Sequence, residues 1–131
     1  MPLTDLNTVT DLSTITPQDI DSIGEAYGER FVNDKVKTNQ LRNFYSSIVS
    51  IRTKLRNSGE VTPQIERELI LLKPKLAYAS GRQSKVKPFY ELMKKGIDAT
   101  ISLDPKDKFV ALNNLISITE AIVAYHKFYE N

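Results

Sequence analysis

The sequence has no cysteine, and only one of its 131 residues, His126, is a histidine. Without cysteine the chain can form no disulfide, no thiolate nucleophile and no cysteine-ligated zinc site, and this composition suits a reducing cytoplasm. A Ser-His-Asp set would have to use this one histidine, a transition-metal site would need carboxylates that do not cluster around it, and its apolar surroundings favour a core histidine. No phosphate-binding glycine loop and no HExxH motif is present either. We therefore expect no enzyme activity, no catalytic residue, no metal and no cofactor.

Long apolar runs are also missing. The longest uncharged run, residues 109–119, has 11 residues, whereas a membrane-spanning helix needs about 20. No basic residue precedes Arg30 and no apolar run follows Met1, which argues against a secretory signal. We expect a soluble, cytoplasmic protein with no membrane partner.

No segment shows the alternation typical of a β-strand. Apolar residues recur at three- and four-residue steps, which predicts helices, and the chain length suits a single domain. We expect an all-α fold, a compact bundle of about five helices. The predicted helices begin at Thr16-Pro17, near Thr38-Asn39, at Thr62-Pro63, near Val86 and at Asp104-Pro105.

Two helices have unusual features. The third contains Pro74 in its interior, which costs about 3 kcal/mol and removes a backbone hydrogen bond, so we expect it to be interrupted or kinked there. The fifth, ending near Tyr129, has apolar residues over most of its circumference. That pattern predicts a central, largely buried helix or one that also faces another subunit.

The first 16 residues do not fit the helical pattern. Their apolar residues are spaced three apart, in a background of residues that are poor helix formers. We expect residues 1–16 to form an extended or disordered N-terminal arm and residues 17–131 to form a single helical-bundle domain. The apolar residues of this arm are Leu3, Leu6, Val9, Leu12 and Ile15.

Charge is unevenly distributed along the chain, although the net charge is only +2. Residues 1–34 contain seven acidic residues and one basic residue, residues 35–95 contain fourteen basic and four acidic residues, and residues 96–131 contain three basic and five acidic residues. The middle segment therefore has a net charge of +10. Such segregation is typical of a nucleic-acid-binding protein, and it would equally suit an acidic protein partner.

The cations of the middle segment form two clusters on predicted helices. On the third helix, Lys75, Tyr78 and Arg82 lie at positions i, i+3 and i+7, so they align along one strip that suits phosphates and bases. An alternative interpretation is that Tyr78 is half-buried and the two cations are ordinary solvated charges. On the second helix, a cationic flank combines Arg42 with the C-terminal cations Arg52, Lys54 and Arg56.

Four blocks occur in a characteristic order: TNQLRNFY, LLKPKLAYASGRQ, VKPFYELMKK and ITEAIVAYHKFYE. In this order the chain resembles the small helical subunit of the type III-A (Csm) CRISPR effector complex, from about Thr38 to Tyr129. The most specific part is the pattern L-K-x-K-x-x-Y-x-x-G-R, which here comprises Leu72, Lys73, Lys75, Tyr78, Gly81 and Arg82.

The resemblance implies a five-helix bundle without catalytic activity that takes part in antiviral defence. It implies that copies of the subunit stack as an inner filament between a large polymerase-like subunit and the crRNA-binding backbone subunits, along the channel for crRNA and single-stranded target RNA. It also implies sequence-independent RNA contacts from the first turn of the second helix and from the Gly-Arg end of the third. The matching residues are Asn39, Arg42, Lys75, Tyr78 and Arg82, to which charge position adds Arg52, Lys54 and Arg56.

Two other functions remain open from the sequence. A helical adaptor with a basic docking face would bind an acidic protein partner instead of RNA. A helix-turn-helix regulator would insert the basic third helix into the DNA major groove. The second alternative fits less well, because residues 57–60 join two long helices and form no short recognition turn.

Overall fold

The computed structural model describes residues 2–130, and these residues contain no β-strand. The five α-helices are α1 (Pro17–Asn33), α2 (Thr38–Ser58), α3 (Pro63–Arg82), α4 (Lys87–Ile101) and α5 (Pro105–Glu130). Short 3-10 helices, Leu12–Thr14 and Ser84–Val86, precede α1 and α4. The predicted all-α bundle is confirmed. None of the described helices combines the length and apolar character needed to cross a bilayer.

Local capping chemistry explains where the helices start. The Thr16 and Thr62 hydroxyls accept hydrogen bonds from the N–H groups of Asp19 and Ile65, and proline occupies the first position of α1 and of α3. The predicted cap of α2 is wrong by one residue. Lys37, rather than Thr38 or Asn39, precedes the helix, and its N–H donates to the side chain of Gln40 at 3.0 Å.

The fifth helix is the centre of the bundle. It packs against α1, α2, α4 and the first 3-10 helix, and these neighbours cover most of its apolar circumference. The central position predicted for α5 is therefore confirmed, and the alternative that α5 also faces another subunit stays a prediction. Glycine at position 28 lets α1 approach closely, because a Cβ atom there would lie only 2.6 Å from the Cβ atom of Tyr125. The large apolar side chains of α5 that stay exposed are Val110 and Phe128.

The third helix runs through Pro74 without interruption. Of the two sequence-based alternatives at this position, the interruption is wrong. Pro74 is exposed, and the preceding turn includes Ile70, which is 37% exposed. The Ile70 carbonyl, which loses its helical donor to proline, therefore lies where water can bond it, so the helix continues.

The N-terminal segment packs against the helices. Leu6 and Leu12 are buried, the side-chain amide of Asn114 donates to the Leu12 carbonyl at 3.0 Å, and the N–H of Leu3 donates to Asp19 at 2.9 Å. Its backbone is irregular apart from the 3-10 turn at Leu12–Thr14. The predicted division into an arm and a domain at residue 16 stays a prediction.

Candidate functional site

A groove of about 510 Å³ opens between the start of α2 and the end of α3. Its floor is apolar and consists of the buried side chains of Phe44, Leu76 and Val86, together with Ala79. Polar residues of α2 form one wall, basic and aromatic residues of α3 form the other, and the residue after α3 closes the end. These are Gln40, Asn43 and Ser47 on α2, then Lys75, Tyr78 and Arg82 on α3, then Gln83.

The antiparallel arrangement of α2 and α3 creates this groove. Gly59 ends α2 in the left-handed conformation (φ 71°), and the chain reverses direction there before α3 begins. Lys54 then pairs with Glu68 at 2.6 Å near the turn. Further along, the Nζ atom of Lys75 lies 3.3 Å from the Oγ atom of Ser47. Ser47 and Lys75 both line the groove, which extends from this contact toward the start of α2 and the end of α3.

The floor of the groove is backed by aromatic packing in the core. The rings of Phe44 and Phe89 meet edge to face with centroids 5.1 Å apart, and Phe89 meets Phe31 in the same way at 5.7 Å. Such edge-to-face pairs add favourable energy beyond their buried area. Phe44, the α2 residue of the floor, is therefore supported from below by α4 and, through Phe89, by α1.

Three predicted RNA-binding residues meet in this groove: Lys75, Tyr78 and Arg82. The only side-chain hydrogen bond of Lys75 within residues 2–130 goes to a neutral hydroxyl. The Arg82 guanidinium lies 5.9 Å from the centroid of the Tyr78 ring, and it forms no ion pair with a described acidic residue. Tyr78 is 69% exposed, so the interpretation of Tyr78 as a half-buried core residue is wrong.

The electrostatics of the groove favour an anion. Two unneutralised cations, Lys75 and Arg82, line it, whereas none of its described lining residues is acidic. The described lining residues also include no histidine. The arrangement is suited to non-covalent binding of a phosphate group beside a flat ring.

The other predicted site residues lie outside the groove. Asn39 and Arg42 are exposed in the first turns of α2 but do not line it. At 100° per residue, Arg42 points about 160° away from the buried Phe44. Arg56 is exposed, and it lies nine residues beyond Ser47, roughly 13 Å further along the α2 axis.

Two predicted cations join helices within the bundle. Arg52 pairs with Glu120 of α5, and the Tyr45 hydroxyl also donates to this carboxylate, at 3.4 Å. Lys54 pairs with Glu68 of α3. The cationic flank predicted on α2 is therefore divided, because Arg52 and Lys54 each face an acidic residue of a different helix.

The sequence analysis missed the α2 wall of the groove. Gln40, Asn43 and Ser47 follow one another at steps of three and four residues, which places them on one flank of α2. The sequence shows this spacing, but only the packing of α2 against α3 shows that these three side chains line a groove. Gln83 could not have been found this way, because it ends the helix and follows no periodic pattern.

The described residues contain no group of three or more His, Cys, Asp or Glu side chains that could hold a metal ion. His126 is 2% exposed, and its Nε2 atom lies 2.8 Å from the carbonyl oxygen of Val36. This contact ties α5 to the α1–α2 connection. His126 is therefore the core histidine that its apolar surroundings predicted.

Comparison with known proteins gives two matches. The sequence model of the family described as Csm2 Type III-A matches residues 15–131. The curated "CRISPR system Cms protein Csm2" of Enterococcus italicus is 36% identical over 96 residues, which are 70% of this chain and 66% of that protein. The match thus spans just under two thirds of the relative's own length. No solved structure matches the chain.

Proposed function

Because the chain belongs to the Csm2 family of type III-A CRISPR systems, we propose that it is the non-catalytic small subunit of a type III-A effector complex and binds single-stranded RNA in the α2–α3 groove. Its ligands are crRNA and single-stranded target RNA. Its protein partners are further copies of itself, the large polymerase-like subunit and the backbone subunits. The complex acts in antiviral defence in the cytoplasm.

One observation supports RNA binding above all: Lys75, Tyr78 and Arg82 line one groove to which no described acidic residue contributes. Lys75 and Arg82 are seven residues apart, which separates them by about 10 Å along α3 at 1.5 Å per residue. Two cations at that spacing can contact different phosphates of one strand. Contacts to phosphates hold the strand without selecting a sequence, as a subunit that must accept any target requires.

The remaining residues predicted to bind RNA extend the proposed RNA-binding surface beyond the groove. Asn39, Arg42 and Arg56 are exposed, so a strand leaving the groove can reach them from solvent. For Arg52 and Lys54 we propose a weaker RNA contribution, because each is already paired with a carboxylate within the bundle. A bound phosphate would have to compete with that carboxylate.

The test is a binding titration of the purified protein with two unrelated single-stranded RNAs at several salt concentrations. We expect the double variant Lys75→Ala, Arg82→Ala to weaken binding to both RNAs by a similar factor. The slope of log affinity against log salt should fall by about 1.4, since each single-strand phosphate contact contributes roughly 0.7. Lys94→Ala, Lys106→Ala is the matched control, because both lysines are exposed and neither lines the groove.

Other outcomes would support other functions. Unchanged RNA affinity in the folded groove variant would remove the groove as the RNA site and direct attention to Arg42 and Arg56. Preference for one duplex DNA sequence would support a regulator, although α2 and α3 have 21 and 20 residues and are longer than the short helices of that motif. Binding to an acidic protein without RNA binding would support the adaptor.

A further inference from the structure

We infer that the α2–α3 groove holds one unstacked nucleobase, with the Tyr78 ring as its stacking surface and side-chain amides at its edge. This inference rests on the proposed RNA binding and deepens it. Phosphate contacts alone would accept a double helix as well as a single strand. A base-holding groove accepts only a strand whose bases can leave the stack.

The groove has the size and polarity of a small-molecule site. Its volume of about 510 Å³ lies within the usual range of roughly 300–1,000 Å³ for pockets that hold small ligands. Such pockets have an apolar lining with a few polar groups that orient the ligand. Here Phe44, Leu76 and Val86 form the apolar floor on which a flat ring can lie.

Tyr78 and Arg82 offer stacking beside this floor. With 69% of its surface exposed, Tyr78 keeps most of its ring available, and its hydroxyl has no hydrogen-bond partner within residues 2–130. The Arg82 guanidinium, 5.9 Å from the ring centroid, is flat and can lie against a base as well. The Tyr78 ring and the flat face of Arg82 can therefore contact a base, while the N–H groups of Arg82 and the Nζ atom of Lys75 face phosphates.

Three amides surround the same space. Gln40 already accepts a hydrogen bond from the N–H of Lys37, which leaves its amino group available. The side chains of Asn43 and Gln83 make no hydrogen bond to any described residue. An amide presents both donors and an acceptor, and rotation about its last bond exchanges them. Three such groups can bond the edge of any base, which agrees with sequence-independent binding.

The experiment compares Tyr78→Ala with Tyr78→Phe on single-stranded oligouridine, single-stranded oligoadenine and duplex RNA of the same length. We expect Tyr78→Ala to weaken binding of both single strands by about fivefold to 150-fold, the range measured for loss of one base–aromatic stack. Tyr78→Phe should retain the single-strand affinity. Neither substitution should change the affinity for duplex RNA or the slope of log affinity against log salt concentration.

A second measurement uses mononucleotides. Uridine monophosphate should shift the nuclear magnetic resonance signals of the Asn43 and Gln83 side-chain amides, whereas inorganic phosphate at the same concentration should not. Equal shifts with both probes, or none with the nucleotide, would overturn base binding. So would unchanged single-strand affinity in Tyr78→Ala, with circular dichroism verifying the fold of this exposed-site variant.

The failure of this inference differs from the failure of the proposed function. If only base holding is wrong, Tyr78→Ala is neutral while Lys75→Ala, Arg82→Ala still lowers the affinity and the salt slope. If RNA binding in the groove is wrong, both variants are neutral.

Discussion

At the residue scale, Asp19 connects the N-terminal segment to the first helix. Its carboxylate accepts hydrogen bonds from the N–H of Leu3 at 2.9 Å and from the N–H of Thr16 at 3.0 Å. The first of these bonds is the largest cause that lowers the pKa of Asp19 below its usual value, and the second adds to it. Asp19 thus holds the start of α1 and the segment before it together.

The lowered pKa of Asp19 has a consequence for stability in acid. A group whose pKa is lower in the folded state stabilises the fold above its unfolded pKa, here about 3.9, and this stabilisation is lost as the pH falls through the folded pKa. We predict that wild type is more stable than Asp19→Asn at neutral pH and that the difference shrinks below about pH 3.9. Urea unfolding of both proteins between pH 2 and 7 measures it.

A control separates Asp19 from the general effect of acid. Glu29 is exposed and forms no hydrogen bond or ion pair with a described residue, so Glu29→Gln should follow the wild-type curve. A constant difference between wild type and Asp19→Asn across this pH range would contradict the assigned role of the carboxylate charge.

At the scale of single elements, α3 retains an interior proline within 20 continuous residues. We predict that Pro74→Ala raises the free energy of unfolding by up to ~3 kcal/mol. The substitution supplies the missing N–H to the Ile70 carbonyl and removes the clash of the ring with the preceding turn. Urea denaturation followed by circular dichroism measures the change.

Gly81→Ala provides the reference for this measurement. A Cβ atom at this position would meet nothing within 4 Å. The substitution Gly81→Ala should therefore stabilise α3 by no more than the difference in helix propensity between glycine and alanine, ~1 kcal/mol. A gain from Pro74→Ala clearly above that value indicates a restored hydrogen bond. Easier unfolding of Pro74→Ala would instead mean that the geometry imposed by proline improves the packing of α3.

At the scale of the whole molecule, the N-terminal segment is part of the core. Leu12 is 0% exposed and belongs to the same buried cluster as the α5 residues Leu112 and Leu115. We predict that Leu12→Ala lowers the free energy of unfolding by about 2–5 kcal/mol, as truncation of a buried leucine does. Since small domains are stable by roughly 5–15 kcal/mol, thermal and urea unfolding will show this loss readily.

Leu71→Ala is the matched control, because Leu71 is 48% exposed. It should change the free energy of unfolding by less than about 0.5 kcal/mol.

The number of unfolding transitions tests the predicted division into an arm and a domain at residue 16. One cooperative transition in wild type means that the segment unfolds with the bundle, whereas a separate early transition, removed by Leu12→Ala, would identify an independent arm.

Local sequence determined most of the fold. The Thr-Pro pairs at Thr16 and Thr62 mark helix starts because cap and proline act within one turn, and periodic apolar residues mark the buried faces. The strip of Lys75, Tyr78 and Arg82 was equally visible, since all three lie on one helix. Among the helix starts, the cap of α2 was misplaced, because a local hydrogen bond from the N–H of Lys37 to Gln40 replaced the expected side-chain cap.

Tertiary structure decided which of these residues work together. Lys75 meets Ser47, 28 residues away, and Arg52 meets Glu120, 68 residues away. Such pairs depend on how α2 lies against α3 and α5, and no periodicity within one helix encodes that. The packing of the helices also buries Leu6 and Leu12. Apart from the 3-10 turn at Leu12–Thr14, their segment forms no regular element, so burial against other helices and the hydrophobic free energy it supplies hold both leucines in place.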